Sequence, residues 1–68
     1  MINLKLRLAR ISAQKSQFDL SVESGISQSL ISGFERKHIL ASPEQAEKLA
    51  QVLGTEVKKI FGKQDLKK

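Results

Sequence analysis

The sequence predicts an all-α domain of five short, compactly arranged helices. Three observations predict it. Apolar residues recur at helical spacing through most of the 68 residues. Ser, Asp, Gln, Pro and Gly stand where short helices start and stop. There is no cysteine to staple a disulfide-built alternative. A chain of this length makes one domain with a modest core, above the roughly 40 residues below which staples become necessary.

Helix 1 is predicted over residues 2–13. Ile2, Leu4, Leu6 and Leu8 alternate as an edge strand would, but the intervening Lys, Arg and Ala are good helix formers. Leu4, Leu8 and Ile11 then fall at i, i+4 and i+7, with Ile2, Leu6, Ala9 and Ala13 as an adjoining stripe. Leu4, Leu8 and Phe61 are expected in the core. The acid-free stretch MINLKLRLARISAQKS superficially resembles a transit peptide. It reads instead as the first helix, because a domain without it keeps too little core.

Helix 2 is predicted from Gln17 to Ser24, opened by Ser16 with Asp19 as a capping-box variant. Gly25 supplies the left-handed stop, and Ser27 is the cap of helix 3, predicted from Gln28 to Arg36. Two short helices joined by a three-residue turn containing Gly, the second amphipathic, outline a helix-turn-helix. After the loop KHILA, Ser42, Pro43 and Gln45 start helix 4. Its apolar stripe is Ala46, Leu49, Ala50 and Leu53, and Gly54 ends it. Thr55 and Glu56 open a last short helix ending near Gly62. The domain is thus placed at 1–62, with 63–68, including KQDLKK, as a basic, disordered tail.

Composition excludes several functions. Without cysteine there is no thiolate zinc site and no thiol nucleophile, and a single His38 builds no metal cluster. No Gly-rich phosphate loop is present, so an enzyme has nothing to assemble a site from; no cofactor is implied. No apolar run reaches a membrane span. The net charge of +5 is concentrated at the two ends: residues 1–16 carry +4 and residues 55–68 carry +3. That distribution suits a polyanionic partner.

Helix 3 has an unusual polar side. Leu30, Ile31 and Phe34 share one face, while Gln28, Ser29, Ser32, Gly33 and Arg36 share the other. Two Ser and a Gly there cost roughly 2 kcal/mol in helix propensity, against a net stability of about 5 kcal/mol for so small a domain. A docking surface accounts for that loss. Small polar side chains let a helix sit deep in the major groove, where Gln28 matches adenine N6 and N7 bidentately. Ser29 and Ser32 suit bases, sugar or phosphate. Gly33 reads either as access for the duplex or as packing space. Arg36, at the C-terminal end, reaches a guanine or, preferably, a phosphate.

The segment SQFDLSVESGISQSLISGFERK resembles the helix-turn-helix of the phage repressor and Cro family, also called the xenobiotic-response-element type. The likeness runs from about Leu6 to Phe61. It includes LRLAR, Ser16–Gln17, the turn GIS, Ile31–Ser32, Glu35 and SPEQAEKLAQVLG. The resemblance implies a lambda-repressor-like fold and a bacterial or phage-encoded protein working in the cytoplasm at the nucleoid. It also implies that Gln28, Ser29, Ser32 and Gly33 face base edges. Phosphates would be met by Gln17, Arg10, Ser27, Arg36, Lys37 and His38. Arg10 and Glu35 occupy the places of a partly buried ion pair, which is either purely structural or also near a phosphate. Where relatives usually carry Gly and a bulky apolar residue, this chain has Gln14 and Lys15, and Lys37 replaces a common Gly. Ser21 and Ser24 replace core-facing Ala and a larger aliphatic; their hydroxyls are expected to bond carbonyls one turn back.

The function expected is a small transcriptional regulator, a repressor binding double-stranded DNA as a homodimer on palindromic half-sites about one helical turn apart. The dimer surface is expected around Val57, Lys58, Ile60 and Phe61. Phe18 and Val22 point away from the Leu20 side of helix 2; they either cover the core edge or form a protein-contact patch. The alternative function is a partner-binding module, such as an antitoxin that binds a toxin and DNA secondarily.

Overall fold

Local capping sets the element boundaries. A computed structural model, describing all 68 residues, contains α1 (Leu4–Ser12), α2 (Gln17–Ser24), α3 (Gln28–Glu35), α4 (Pro43–Leu53) and α5 (Val57–Ile60), then a 3₁₀ turn at Lys63–Asp65. Both capping boxes form. Ser16 Oγ accepts from the Asp19 N–H at 2.9 Å while Asp19 Oδ2 accepts from the Ser16 N–H at 2.9 Å. Ser42 and Gln45 repeat the exchange at 3.1 and 2.9 Å. These bonds satisfy donors that the first helical turn leaves without partners.

Helix ends are closed by left-handed residues. Gly25 and Gly54 have φ of 75° and 66°, which a residue without Cβ adopts freely. Gln14 and Lys37 occupy the same conformation at φ 59° each, despite their side chains. At both, the two N–H groups past the helix fold back on its last carbonyls: Gln14 to Ile11 and Lys15 to Arg10, Lys37 to Phe34 and His38 to Gly33. The turns therefore keep the shape glycine would give them.

The core is one cluster. Leu6, Leu20, Ile31, Phe34, Leu49 and Ile60 are its largest fully buried side chains, and Phe34 meets Phe61 edge to face with ring centroids 6.1 Å apart. Around it α2 lies against α3 and α4, α1 against α5 and α3, and α4 against α5.

The first helix differs from the sequence expectation. It begins at Leu4, because Asn3 is its N-cap: Asn3 Oδ1 accepts from the Leu6 N–H at 3.1 Å and Nδ2 donates to the Ile60 carbonyl at 2.8 Å. Of the two apolar stripes on α1, the fold buries the one carrying Leu6, with Ala9 partly buried against the core beside it. Leu4, Leu8 and Ile11 remain 51–52% exposed, so Leu4 and Leu8 are not core residues. Asn3 and Arg10 lie on the Leu6 side, and their hydrogen bonds to α5 and α3 decide which stripe turns inward.

Three further expectations are corrected. Phe18 and Val22 do not cover the core edge; they are 62% and 65% exposed. The side-chain hydrogen bond seen at Ser24 runs forward and not to a carbonyl one turn back: its Oγ accepts from the Ile26 N–H at 3.2 Å and so shapes the turn ahead of it. The segment after Gly62 is laid down on the fold. Ala41 and Leu66 form a parallel bridge, Lys67 N–H donates to the Ala41 carbonyl at 2.8 Å, and Leu66 rests against the core.

Candidate nucleic-acid interface

The start of α2 and the outer side of α3 form a shallow hollow of about 310 Å³ lined by Gln17, Gln28, Ser29, Ser32 and Arg36, with no hydrophobic side chain among them. Gln28, Ser29 and Arg36 are exposed and Ser32 is half-buried. The opposite side of α3 sends Ile31 and Phe34 into the core, which fixes the rotation of the helix and keeps its polar side outward. Ser27, next to Gln28 in the chain, is exposed as the α3 cap, its Oγ accepting from the Leu30 N–H at 3.2 Å, and lines a separate hollow towards the start of α4.

Behind the hollow lies a buried polar fastening. Arg10 Nε donates to Glu35 Oε2 at 2.6 Å and Nη2 to Oε1 at 3.2 Å, with the two side chains 13% and 6% exposed. Arg10 Nη1 also donates to the Lys15 carbonyl at 2.9 Å. Gln17 Nε2 donates to the same Glu35 carboxylate at 3.2 Å. One carboxylate thus ties α1, the start of α2 and the end of α3 together, a fork geometry that a planar guanidinium and a carboxylate make well. The N–H groups of Gln17 and Phe18, in the first turn of α2, have no partner within the chain and carry the positive end of that helix.

Some sequence-predicted site residues do not join this surface. Gly33 is buried: a Cβ there would stand 2.5 Å from Ile39 Cδ1, so the glycine makes room for the loop and offers no approach to a duplex. Lys37 is turned to the C-terminal turn, with Nζ 3.5 Å from Asp65 Oδ1. His38 is exposed in the loop after α3, its N–H donating to the Gly33 carbonyl at 2.9 Å. Arg10 faces Glu35. At the expected dimer surface Ile60 and Phe61 are buried in the core, which leaves only Val57, partly, and Lys58 at the surface there.

The sequence reading missed Arg7. It lines a second hollow, of about 230 Å³, that shares Gln17, Ser32 and Arg36 with the first. Its spacing of three from Arg10, one turn along α1, was the available signal.

The pattern that defines the helix-turn-helix family of the Cro/C1 type matches residues 6–60, most of the chain. The chain belongs to that family. Neither a curated protein nor a solved structure matches it. Membership makes this a DNA-binding domain of transcriptional regulators, a family without enzymatic activity. Its five-helix, strand-free architecture is the lambda-repressor-like one. No helix is long and apolar enough to cross a membrane, and no group of three or more acidic, His or Cys side chains is placed to hold a metal ion.

Proposed function

We propose that the chain is a sequence-specific repressor that binds double-stranded DNA as a homodimer on a palindromic operator, with α3 in the major groove of each half-site. The observation that carries this reading is the hollow lined only by Gln17, Gln28, Ser29, Ser32 and Arg36. Gln28, exposed at the first position of α3, reads an adenine through N6 and N7. Ser29 and Ser32 meet neighbouring base edges or the sugar-phosphate backbone. Gln17, with its free N–H, and Ser27 and Arg36 at the two ends of α3 hold phosphates on either side of the groove. His38 borders the same strand. The role of Arg10 is positioning: it holds Glu35 and, through it, Gln17. Occupying the operator blocks transcription without any chemistry. Two half-sites about one helical turn apart supply the contact area that one domain of this size lacks.

Selection of bound sites from a random duplex pool, repeated with Gln28→Ala, tests the reading. Wild type should enrich a palindrome, and the variant should lose preference at one adenine per half-site. Equal affinity for random duplex and for every selected site at physiological salt would refute it.

A further inference from the structure

Seven of the nine large apolar side chains left exposed by the fold lie in the first 22 residues. Five of them are ordered by helical spacing: Leu4, Leu8 and Ile11 on α1, and Phe18 and Val22 on α2. Single exposed apolar residues are ordinary on a protein surface, but rows repeating at i+4 and i+7 are not. At 1.5 Å rise per residue the α1 row is roughly 10 Å long and the α2 pair roughly 6 Å, so the row is long enough to receive the pair.

The charges beside them are opposite. At about 100° per residue, Lys5 and Arg7 border the α1 row on its two edges, while Asp19 and Glu23 border one edge of the α2 pair. All four are exposed, α1 contains no acid and α2 contains no base. Glu23 is shared with Lys15 at 2.8 Å; Asp19 is in no ion pair. Two α1 rows placed face to face would oppose Lys5 and Arg7 with their own copies, and two α2 pairs would oppose Asp19 and Glu23 in the same way. Only the unlike pairing joins apolar to apolar with attraction at the rim. An anionic lipid surface would match the edges of α1 but leave Phe18 and Val22 uncovered beside two acids.

We propose that a second copy of this chain covers these surfaces, the Leu4–Leu8–Ile11 row of α1 in one copy seating on the Phe18–Val22 pair of α2 in the other. The contact requires no DNA, so it stands or falls separately from the operator reading.

Sedimentation velocity of the full chain without DNA, over micromolar to millimolar concentrations, tests it with Leu8→Asp and Val22→Lys. Both sites are exposed, and circular dichroism checks that each variant stays folded. Wild type should associate, and each variant should associate at least about tenfold more weakly, because each places a like charge opposite the partner's flanks. Mixing the two variants should restore association, since one retains an intact α2 and the other an intact α1. A monomeric wild type, an effect of only one variant, or a mixture no better than its components would overturn the proposal. Binding of a monomeric wild type to phosphatidylserine vesicles, abolished by Leu8→Asp, would assign the row to a lipid surface and also overturn it.

Discussion

Glu35 accepts from Arg10 and Gln17 with its side chain, and its carbonyl accepts from the Asn3 N–H at 2.6 Å. Removing the carboxylate leaves a nearly buried guanidinium unpaired, so Glu35→Ala should cost about 3 kcal/mol in urea unfolding, as expected for one broken half of a buried pair. Gly33 gives an opposite case. The Ile39 atoms nearest its missing Cβ are the side-chain atoms Cδ1 at 2.5 Å and Cγ1 at 2.9 Å, with Cβ behind them at 3.3 Å, and they belong to an exposed loop residue that can move outward. Gly33→Ala alone should therefore change stability by less than about 1 kcal/mol, as better helix propensity offsets the displaced Ile39. On an Ile39→Ala background the same substitution should stabilise by about 0.5–1 kcal/mol. Equal destabilisation in both backgrounds would show that something other than Ile39 occupies the space. Gly33 was ambiguous in the sequence because its neighbour comes from a turn made by Lys37, and spacing along one helix does not show where a loop returns. Arg10 and Glu35 are 25 positions apart, so only the resemblance, and no local pattern, brought them together.

Among the elements, those defined by contacts three or four residues apart were the most legible. The boundaries of α2 and α4 follow from Ser16, Asp19, Ser42, Pro43, Gln45 and two glycines. The orientation of α1 was not legible, because both of its stripes are apolar and distant polar bonds of Asn3 and Arg10 choose between them. The helix ends at Gln14 and Lys37 give a testable difference. A left-handed non-glycine residue costs about 1–2 kcal/mol, of which glycine returns part to chain entropy. Gln14→Gly should thus stabilise by up to about 1 kcal/mol in thermal or urea unfolding. Lys37→Gly should gain less, since it also removes the ion pair with Asp65. For α2, the Ser16 hydrogen bonds hold the Asp19 carboxyl below its ordinary value of 3.8, with a smaller contribution from Lys15. A depressed folded value means that the cap's support is present above that ordinary value and is lost as the pH falls through the lowered one. Measured against the intrinsic exchange rate at each pH, protection of the Ser16 and Asp19 amides, the two that close the cap, should fall on acidification from about pH 5 to pH 2. Asp19→Asn should flatten that dependence.

At the scale of the molecule, the last six residues add to the fold, although their composition read as a tail. Charge-rich composition predicts solvation, but Leu66 and the main-chain bonds to Ala41 depend on where the loop before α4 passes. Deleting residues 63–68 should lower stability by about 1–2 kcal/mol, from the lost burial of Leu66, and should expose the Ala41 N–H to rapid exchange. An Ala41 amide as protected as in the intact chain would contradict this placement.

The three-way clasp at Glu35 has a consequence for the nucleic acid. With the first three helices locked by one carboxylate, the DNA-facing edge has little freedom to adjust its shape, so compliance must come from the double helix. Steps that bend or twist easily will then be favoured even where no side chain touches them, and part of the selectivity will reside in the stiffness of untouched base pairs.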